Sequence, residues 1–221
     1  MPSKKSATAT LFCKVCHRPI EKNSIFNAVF AAKSICLRCF LALKPTYVHW
    51  KENGISFTSV YRYEEAYQSL IYLYKGCGDY ELRQAFLERL FPFLKIRYRH
   101  YVVVPAPSSS SKIDARGFDH LPAMFEGLGK EVRCLLQKTS DFKQSDQNKF
   151  GRKKVGNYIS LLPGAKIRGE KVLLVDDVFT TGATVRACLK LLQRLHPAKI
   201  EVLVLARVAK DRKHRRRPSF L

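Results

Sequence analysis

VLLVDDVFTTGATV, residues 172–185, joins an apolar run to two adjacent carboxylates, Asp176 and Asp177, and then to a threonine-rich segment. A short run of valines and leucines is typical of a strand that is buried on both faces of a parallel sheet. Ligands of such sheets bind at the carboxyl ends of the strands, which is where these acids lie. Because neighbouring carboxylates repel each other, the pattern predicts a ligand or a metal that offsets the repulsion.

The segment after the acids has the composition of a phosphate-binding turn. Thr180, Thr181 and Thr184 offer hydroxyl donors, and Gly182 permits close approach of the backbone. The helix expected to follow adds free backbone N–H groups and the positive end of its dipole. Carboxylates beside such a turn suit a phosphorylated sugar, because they accept hydrogen bonds from ribose hydroxyls directly or through Mg²⁺.

Two other interpretations of this segment are weaker. A strand followed by a threonine-capped helix without a ligand needs one acid or one threonine, not two acids and three threonines. A phosphoacceptor receiver domain also has two acids after a strand. Only 44 residues follow Asp177, however, and a receiver needs further strands beyond that point.

The patterns around residues 172–185 alternate between strand and helix. Strands are predicted at 57–64, 101–105, 131–138, 171–177 and 200–208, and helices at 64–76, 81–94 with an interruption at Pro92, 117–130 and 181–195. This alternation predicts an α/β fold with a central parallel sheet that helices flank.

Three stretches are predicted to be irregular. Residues 45–56 contain Pro45 and Gly54 and are interpreted as a linker and domain boundary. Residues 108–119 are interpreted as a loop, and the polar, basic residues 138–157 as a long loop that is either functional or mobile. The resulting domains are 1–50 (metal-binding module and linker), 57–207 (α/β domain) and 208–221 (basic tail).

Four of the seven cysteines form the pattern C-x2-C-x19-C-x2-C, with Cys13, Cys16, Cys36 and Cys39 as its members. Each pair can occupy two corners of a tetrahedron around zinc, which predicts a small N-terminal zinc module. Two roles stay open for such a module: the zinc only stabilises it, or the module also binds nucleic acid. A weaker alternative is that the four cysteines are unrelated and bind no metal. Cys77, Cys134 and Cys188 stand singly and are expected in the core.

The chain of 221 residues carries 40 lysines and arginines against 18 acidic residues, a formal charge of +22. Such an excess favours a polyanionic partner, either nucleic acid or an anionic membrane surface. Five tyrosines between the basic residues can stack on bases, although packing in the core is the more common role. They are Tyr61, Tyr63, Tyr67, Tyr72 and Tyr74. No apolar run approaches the roughly 18 residues that span a bilayer, so we expect a cytoplasmic protein that touches a membrane only peripherally.

The segment 172–184 resembles the phosphoribosyl-pyrophosphate (PRPP) signature of type I phosphoribosyltransferases. With the four N-terminal cysteines, YKGCGD, VVVPAP and RGFD, the wider arrangement resembles the ComF (ComFC) family of competence proteins. Three motifs depart from the family pattern: Pro-Ala-Pro-Ser replaces Pro-Val-Pro-Leu, Asp119-His120 replaces Asn-Gln, and Lys154 replaces an arginine.

The resemblance implies a type I phosphoribosyltransferase-like domain whose acids Asp176 and Asp177 contact ribose and form the catalytic pair. The implied PRPP-binding residues are Asp176, Asp177, Phe179, Thr180, Thr181, Gly182, Ala183 and Thr184. It also implies Mg²⁺ with PRPP, structural Zn²⁺, and the handling of incoming single-stranded DNA during natural transformation. A competence helicase or the inner-membrane DNA-uptake machinery would be its partner.

The alternative is an active phosphoribosyltransferase that uses PRPP and Mg²⁺ on a base, a nucleotide or a related acceptor. Its weak point is that no base-binding segment is evident in the sequence. Residues 105–108 are expected to face the phosphate turn if the strand before them neighbours residues 172–175. Lys75 and Arg116 are candidates for neutralising the charge of pyrophosphate, or plain surface cations.

Overall fold

A six-stranded sheet runs through the centre of the part of the chain that the computed structural model describes, residues 10–20, 33–139 and 158–209. The strands are β1 (Pro45–Glu52), β2 (Ile55–Arg62), β3 (Tyr101–Pro105), β4 (Glu131–Val132), β5 (Leu136–Thr139), β6 (Tyr158–Leu161), β7 (Lys171–Phe179) and β8 (Lys199–Arg207). The helices are α1 (Leu37–Ala42), α2 (Glu65–Lys75), α3 (Phe91–Tyr98), α4 (Ser110–Arg116), α5 (His120–Met124) and α6 (Ala183–Gln193), with a 3₁₀ turn at Tyr80–Gln84.

The strand order of this sheet is β1-β2-β8-β7-β3-β4, and every neighbouring pair except β1 and β2 is parallel. β7 lies in the middle, between β8 and β3, so that Val172–Val175 are fully buried. β5 and β6 form a separate antiparallel pair. The predicted α/β class with a central parallel sheet is confirmed, and the buried position of β7 explains its continuous apolar run.

The predicted linker at 45–56 is wrong. These residues form a β-hairpin in which β1 pairs with β2 in antiparallel register, around a turn at Asn53 and Gly54. Both turn residues have positive φ, +50° and +79°, which is the geometry that an Asn-Gly hairpin turn requires. β1 is the edge strand and is largely exposed, and for that reason its residues lack a long apolar pattern. The division into 1–50, 57–207 and 208–221 stays a prediction.

Two further local predictions need correction. Part of the predicted loop at 108–119 is helix α4, which ends where Gly117 adopts φ +82°. Pro92 stands in the first turn of α3 and so begins this helix, where a missing N–H costs nothing, instead of interrupting a longer one. Beyond residues 138–139 the predicted loop lies outside the described residues, and so does the tail after residue 209. No helix within the described ranges is long and apolar enough to cross a bilayer.

Candidate functional site

A cavity of about 200 Å³ opens at the carboxyl edge of the sheet. Its walls include Asp176 and Asp177 from the end of β7, Thr184 from the start of α6, and Lys75 and His120 from other elements. The loop after β3, Ala106–Ser109, also lines it. β3 pairs directly with β7, with Pro105 opposite Val175, so the predicted meeting of these two loops is confirmed.

Asp177 is buried and accepts from two cation-forming side chains. Lys75 Nζ, at the end of α2, contacts Asp177 Oδ2, and His120 Nε2 lies 3.0 Å from the same oxygen. The other ring nitrogen of His120, Nδ1, lies 3.3 Å from Ser108 Oγ and 3.6 Å from Asp119 Oδ1. These contacts partly explain how the adjacent acids coexist, because the protein supplies its own counter-charges to Asp177.

The backbone around the site is held by tyrosines whose rings are buried. Tyr67 donates from its hydroxyl to the Asp177 carbonyl oxygen at 3.0 Å, and Tyr74 donates to the His120 carbonyl oxygen at 2.8 Å. Tyr61 donates to the Phe86 carbonyl oxygen at 2.6 Å. Of the five tyrosines considered for base stacking, these three are therefore core residues. Only Tyr63, which is half-buried, and Tyr72, whose ring is 66% exposed, remain available to a ligand.

The two acids have opposite protonation behaviour. Burial opposes ionisation of Asp177, but the hydrogen bond from His120 and the charge of Lys75 together hold the pKa of this carboxyl well below its usual range. Burial and the charge of Asp177 raise the pKa of Asp176 to about 7. Asp176 Oδ1 accepts only from the Asp177 backbone N–H, at 2.9 Å, among the contacts of the described residues. Among the described residues, Asp176 is therefore the acid without a cationic partner.

The segment after β7 forms a tight turn into α6, at the position where the sequence predicts a phosphate-binding turn. Gly182 has φ +75° and stands at the N-cap of α6, where it has no side chain to cap the first N–H groups of the helix. Thr180, Thr181 and Ala183 are exposed, and Thr184 lines the cavity. The Ala183 N–H donates to Thr181 Oγ1 at 3.4 Å, a contact long and weak enough for an anion to replace at this helix terminus.

Phe179 has a supporting position under this turn. Its ring is 3% exposed and would lie 2.5 Å from a Cβ atom at Gly182, so only glycine fits there. Phe179 also contacts Trp50 of β1, with ring centroids 5.4 Å apart. The side chain of Phe179 therefore packs beneath the turn and connects it to the hairpin through Trp50.

Arg186 was not predicted from the sequence as a site residue, although it ties the turn to the sheet. Its Nη1 donates to the Thr181 carbonyl oxygen at 2.6 Å, and its Nη2 donates to Glu52 Oε2 at 3.2 Å. Arg186 lies one turn into α6, and Glu52 ends β1, 134 residues earlier in the chain. No local pattern could have revealed this pair.

The four predicted zinc ligands come together. Cys13, Cys16, Cys36 and Cys39 place their sulfur atoms within 4.8 Å of one another. The sulfurs of Cys16 and Cys36 are 3.8 Å apart, which is the separation expected in a tetrahedral site with zinc–sulfur bonds of about 2.3 Å. The Cys36 and Cys39 backbone N–H groups donate to the sulfurs of Cys13 and Cys36. The donor set therefore fits a structural zinc ion.

The protonation of these thiols also suits a metal site. The backbone N–H of Arg18 lowers the pKa of Cys16 to about 7, whereas burial raises the pKa of Cys36 and Cys39. A bound divalent cation offsets the cost of ionising these two half-buried thiols. Cys77 and Cys134 are exposed, contrary to the prediction that they are core residues, and Cys188 is buried as expected.

The cysteine module is anchored on the segment before α3. Glu88 accepts hydrogen bonds from the backbone N–H groups of Lys33 at 2.7 Å, Ser34 at 2.8 Å and Ile35 at 3.3 Å. Lys14 forms an ion pair with Glu81. Because a carboxylate with three backbone donors is a strong acceptor, the module is fixed against the rest of the protein at this point.

The solved structures that align with this chain include two phosphoribosyltransferases. A hypoxanthine phosphoribosyltransferase from Staphylococcus aureus aligns with 61% of this chain and 68% of its own length, at 17% identity and a TM-score of 0.36. An adenine phosphoribosyltransferase from Rhodothermus marinus aligns with 77% of this chain and 99% of its own, at 17% identity and a TM-score of 0.38.

Sequence comparisons are more specific. The family model of the phosphoribosyl transferase domain matches residues 113–220. Competence protein ComFC of Bacillus subtilis is 28% identical over 229 residues, which cover 89% of this chain and 95% of that protein. Competence protein ComFC of Streptococcus pneumoniae is 31% identical over 154 residues, which cover 70% of this chain and 69% of that protein. With its phosphoribosyltransferase-type sheet and its N-terminal four-cysteine module, the chain belongs to the ComFC family of competence proteins.

Proposed function

We propose that this protein binds PRPP with Mg²⁺ at the edge of β7 and handles single-stranded DNA during natural transformation. The observation that carries the proposal is that both acids line one cavity together with Thr184 from the first turn of α6. The 5′-phosphate would accept from the N–H groups and hydroxyls of Thr180–Thr184, and Asp176 and Asp177 would accept from the ribose hydroxyls. Mg²⁺ supplies the positive charge that the pyrophosphate group and Asp176 lack.

The binding of PRPP can be tested by calorimetric titration with PRPP and Mg²⁺. Replacing Asp176 and Asp177 together by Asn should weaken binding by about tenfold or more, the equivalent of about 1.4 kcal/mol. Asp114→Asn is the matched control, because Asp114 is an exposed acid on α4 outside the cavity. Unchanged affinity in the double variant would remove the acid pair from the site.

The proposed binding of single-stranded DNA rests on charge and on the family relationship. A protein of charge +22 that neutralises several phosphates should lose affinity steeply as salt rises. Fluorescence anisotropy of a labelled oligonucleotide, measured between 50 and about 200 mM salt, tests this. If the protein does not bind the oligonucleotide at moderate salt, the proposal is wrong. The work would take place in the cytoplasm, with a competence helicase or the inner-membrane uptake machinery as partner.

We propose zinc as the ion of the cysteine module, bound by Cys13, Cys16, Cys36 and Cys39. Its role would be to stabilise a module of few core residues, as in other small zinc-bound folds.

A second candidate function is phosphoribosyl transfer to an acceptor. A wide cleft beside the acid pair favours it, because a transferase needs room for an acceptor next to the sugar. Release of pyrophosphate from PRPP in the presence of bases, nucleotides or DNA would establish the activity. Binding of PRPP without release would instead indicate that the protein senses PRPP.

A further inference from the structure

A cleft of about 640 Å³ lies directly beside the cavity that holds the acid pair. The two spaces share the side chains of Lys75, Lys112, Arg116 and Val178, so they are separated by a single layer of residues. The cleft lies between the second half of α2 and α4, and the backbone of Gly76–Gly78 closes one end. A molecule in the cleft would therefore be a neighbour of whatever occupies the cavity.

The charge of the cleft has one sign. Its lining contains three cations and no carboxylate. Lys75 is paired with Asp177, whereas Lys112 and Arg116 form no ion pair with any of the described residues. One guanidinium nitrogen of Arg116, Nη1, is buried and has no hydrogen-bond partner among them. Because a buried donor without an acceptor is costly, Arg116 is arranged for an oxygen that a ligand supplies.

The opposite wall of the cleft is aromatic. Tyr72 lies on α2 with its ring 66% exposed, and half-buried Tyr63 follows β2. The ring of Tyr72 lies over Gly76, where a Cβ atom would come within 2.9 Å of it. An exposed ring over a glycine, in the same cleft as Lys112 and Arg116, offers a stacking surface and phosphate donors together.

We propose that this cleft binds a nucleotide unit, with its base against Tyr72 and Tyr63 and its phosphate on Arg116 and Lys112. The unit is either a free 5′-nucleotide or the end of a DNA strand, since both have the same chemistry. The inference rests on the proposed function in one respect: the nucleotide is the acceptor or co-ligand of the PRPP bound next to it. Lys75, which pairs with Asp177, lines both the cleft and the cavity.

The test is a calorimetric titration of the full chain with 5′-dTMP, thymidine and a 5′-phosphorylated oligo(dT) of five nucleotides. Thymidine should bind about tenfold more weakly than dTMP, because it lacks the group that pairs with Arg116. Tyr72→Ala should weaken dTMP binding about fivefold or more, and Tyr72→Phe, which keeps the ring, should retain it. Phe93→Ala is the matched control, because Phe93 is an equally exposed aromatic on α3, outside the cleft.

Each outcome decides the assignment. Binding of dTMP that Tyr72→Ala and Arg116→Gln leave unchanged overturns it. Binding of dTMP that depends on Arg116 but not on Tyr72 also overturns it, because the cleft would then hold the phosphate and not the base. If the oligonucleotide binds at least tenfold more tightly than dTMP, with the same sensitivity to both variants, the strand end is the source of the nucleotide. Comparable binding of the two identifies the free nucleotide.

The failure of this inference can be separated from the failure of PRPP binding. Tyr72→Ala should keep its PRPP affinity, because Tyr72 does not line the cavity of the acids. Replacing Asp176 and Asp177 by Asn should keep dTMP binding and lose PRPP. Wild-type protein that binds dTMP but not PRPP would overturn the proposed function alone, and protein that binds PRPP but no nucleotide would overturn the cleft assignment alone.

Discussion

His120 Nε2 lies 3.0 Å from Asp177 Oδ2, so the residue that replaces the usual glutamine of the family pattern contacts the second acid of the signature. Glutamine can donate from its amide to the same oxygen, whereas leucine cannot. We expect His120→Leu to weaken PRPP binding by about five- to tenfold, because Asp177 then keeps only Lys75 as a partner. His120→Gln should stay within about threefold of wild type.

Calorimetric titration of both variants with PRPP and Mg²⁺ measures this difference. Thermal melting establishes that each variant is folded, since the His120 backbone also accepts from Tyr74. Equal losses in the glutamine and leucine variants would show that the contact with Asp177 does not matter for binding.

Asp176 makes the stability of the protein depend on pH. Its pKa is raised to about 7 by burial and by the charge of Asp177, whereas an unfolded chain ionises at about 4. The folded state therefore holds a proton that the unfolded state has released, and the stability from this group falls as pH rises from about 4 to about 7. Asp176→Asn removes the titration, so we expect the variant to melt above wild type at pH 8 and, by about a third as much, at pH 5, where only the first part of this pH window has been passed.

Asp177→Asn should have the opposite sign, because the lowered pKa of Asp177 means that its ionised form stabilises the fold through Lys75 and His120. Melting curves of wild type, both variants and Asp114→Asn at the two pH values test the pair. A stabilising effect of Asp176→Asn that is equal at pH 5 and pH 8 would contradict the assignment to its charge.

The sequence predicts the parts of the site that lie within residues 172–185, because strand, acids and turn are all local there. It does not predict their partners. Lys75 reaches Asp177 across 102 residues, and His120 reaches it across 57. Such contacts depend on how strands are ordered in the sheet, and no spacing along the chain encodes that order.

The hairpin at β1 and β2 was missed for a different reason. An edge strand with one solvent-facing side needs few apolar residues, so β1 resembles a loop in composition. The Asn53-Gly54 pair is the signal that identifies it.

The five tyrosines illustrate a limit of composition, because their number gives no information on which rings are buried.

Gly182 is constrained both by its positive φ and by the nearby ring of Phe179, and a comparison with Gly164 separates these two effects. Gly182 and Gly164 have nearly the same φ, +75° and +76°, but only at Gly182 would a Cβ atom collide, with the ring of Phe179. Gly164→Ala should cost about 1–2 kcal/mol, the penalty of a side chain in left-handed backbone. Gly182→Ala should cost about 1–3 kcal/mol more from overpacking and should weaken PRPP binding at least about tenfold.

Chemical denaturation gives the two stability changes, and calorimetry gives the PRPP affinities. Equal free-energy losses in the two alanine variants would show that the Phe179 ring moves aside without cost. A Gly182→Ala variant with normal PRPP affinity would show that the turn does not hold the phosphate.

Arg186 should act as a positioning residue for the phosphate turn. It holds the Thr181 carbonyl oxygen and Glu52 together, and α6 carries Lys190 one turn further on as an exposed cation. We expect Arg186→Gln to weaken PRPP binding about three- to tenfold and Lys190→Gln to leave it unchanged. Trp50 is the single tryptophan of the chain and lies against Phe179, so its fluorescence reports on the turn.

A positioning role predicts a fluorescence change in Arg186→Gln before any ligand is added. Glu52→Gln should show a smaller change of the same kind, because Glu52 also accepts from the Trp50 Nε1–H at 3.1 Å. If PRPP affinity falls in Arg186→Gln while the Trp50 spectrum of the free protein is that of wild type, Arg186 contacts the ligand itself and does not position the turn.

Zinc should stabilise the N-terminal module, and the exposed cysteines provide a control of the same chemistry. Replacing Cys13 and Cys16 by Ser should abolish the one zinc per chain that we expect by elemental analysis, because two of four ligands are lost. Replacing Cys77 and Cys134 by Ser should leave the zinc in place.

Glu88→Gln should retain zinc yet lower the melting temperature, because it weakens three hydrogen bonds that fix the module. A Cys13, Cys16 double variant that still holds one zinc ion would contradict the ligand assignment, and an unchanged melting temperature in Glu88→Gln would contradict the anchoring role of that carboxylate.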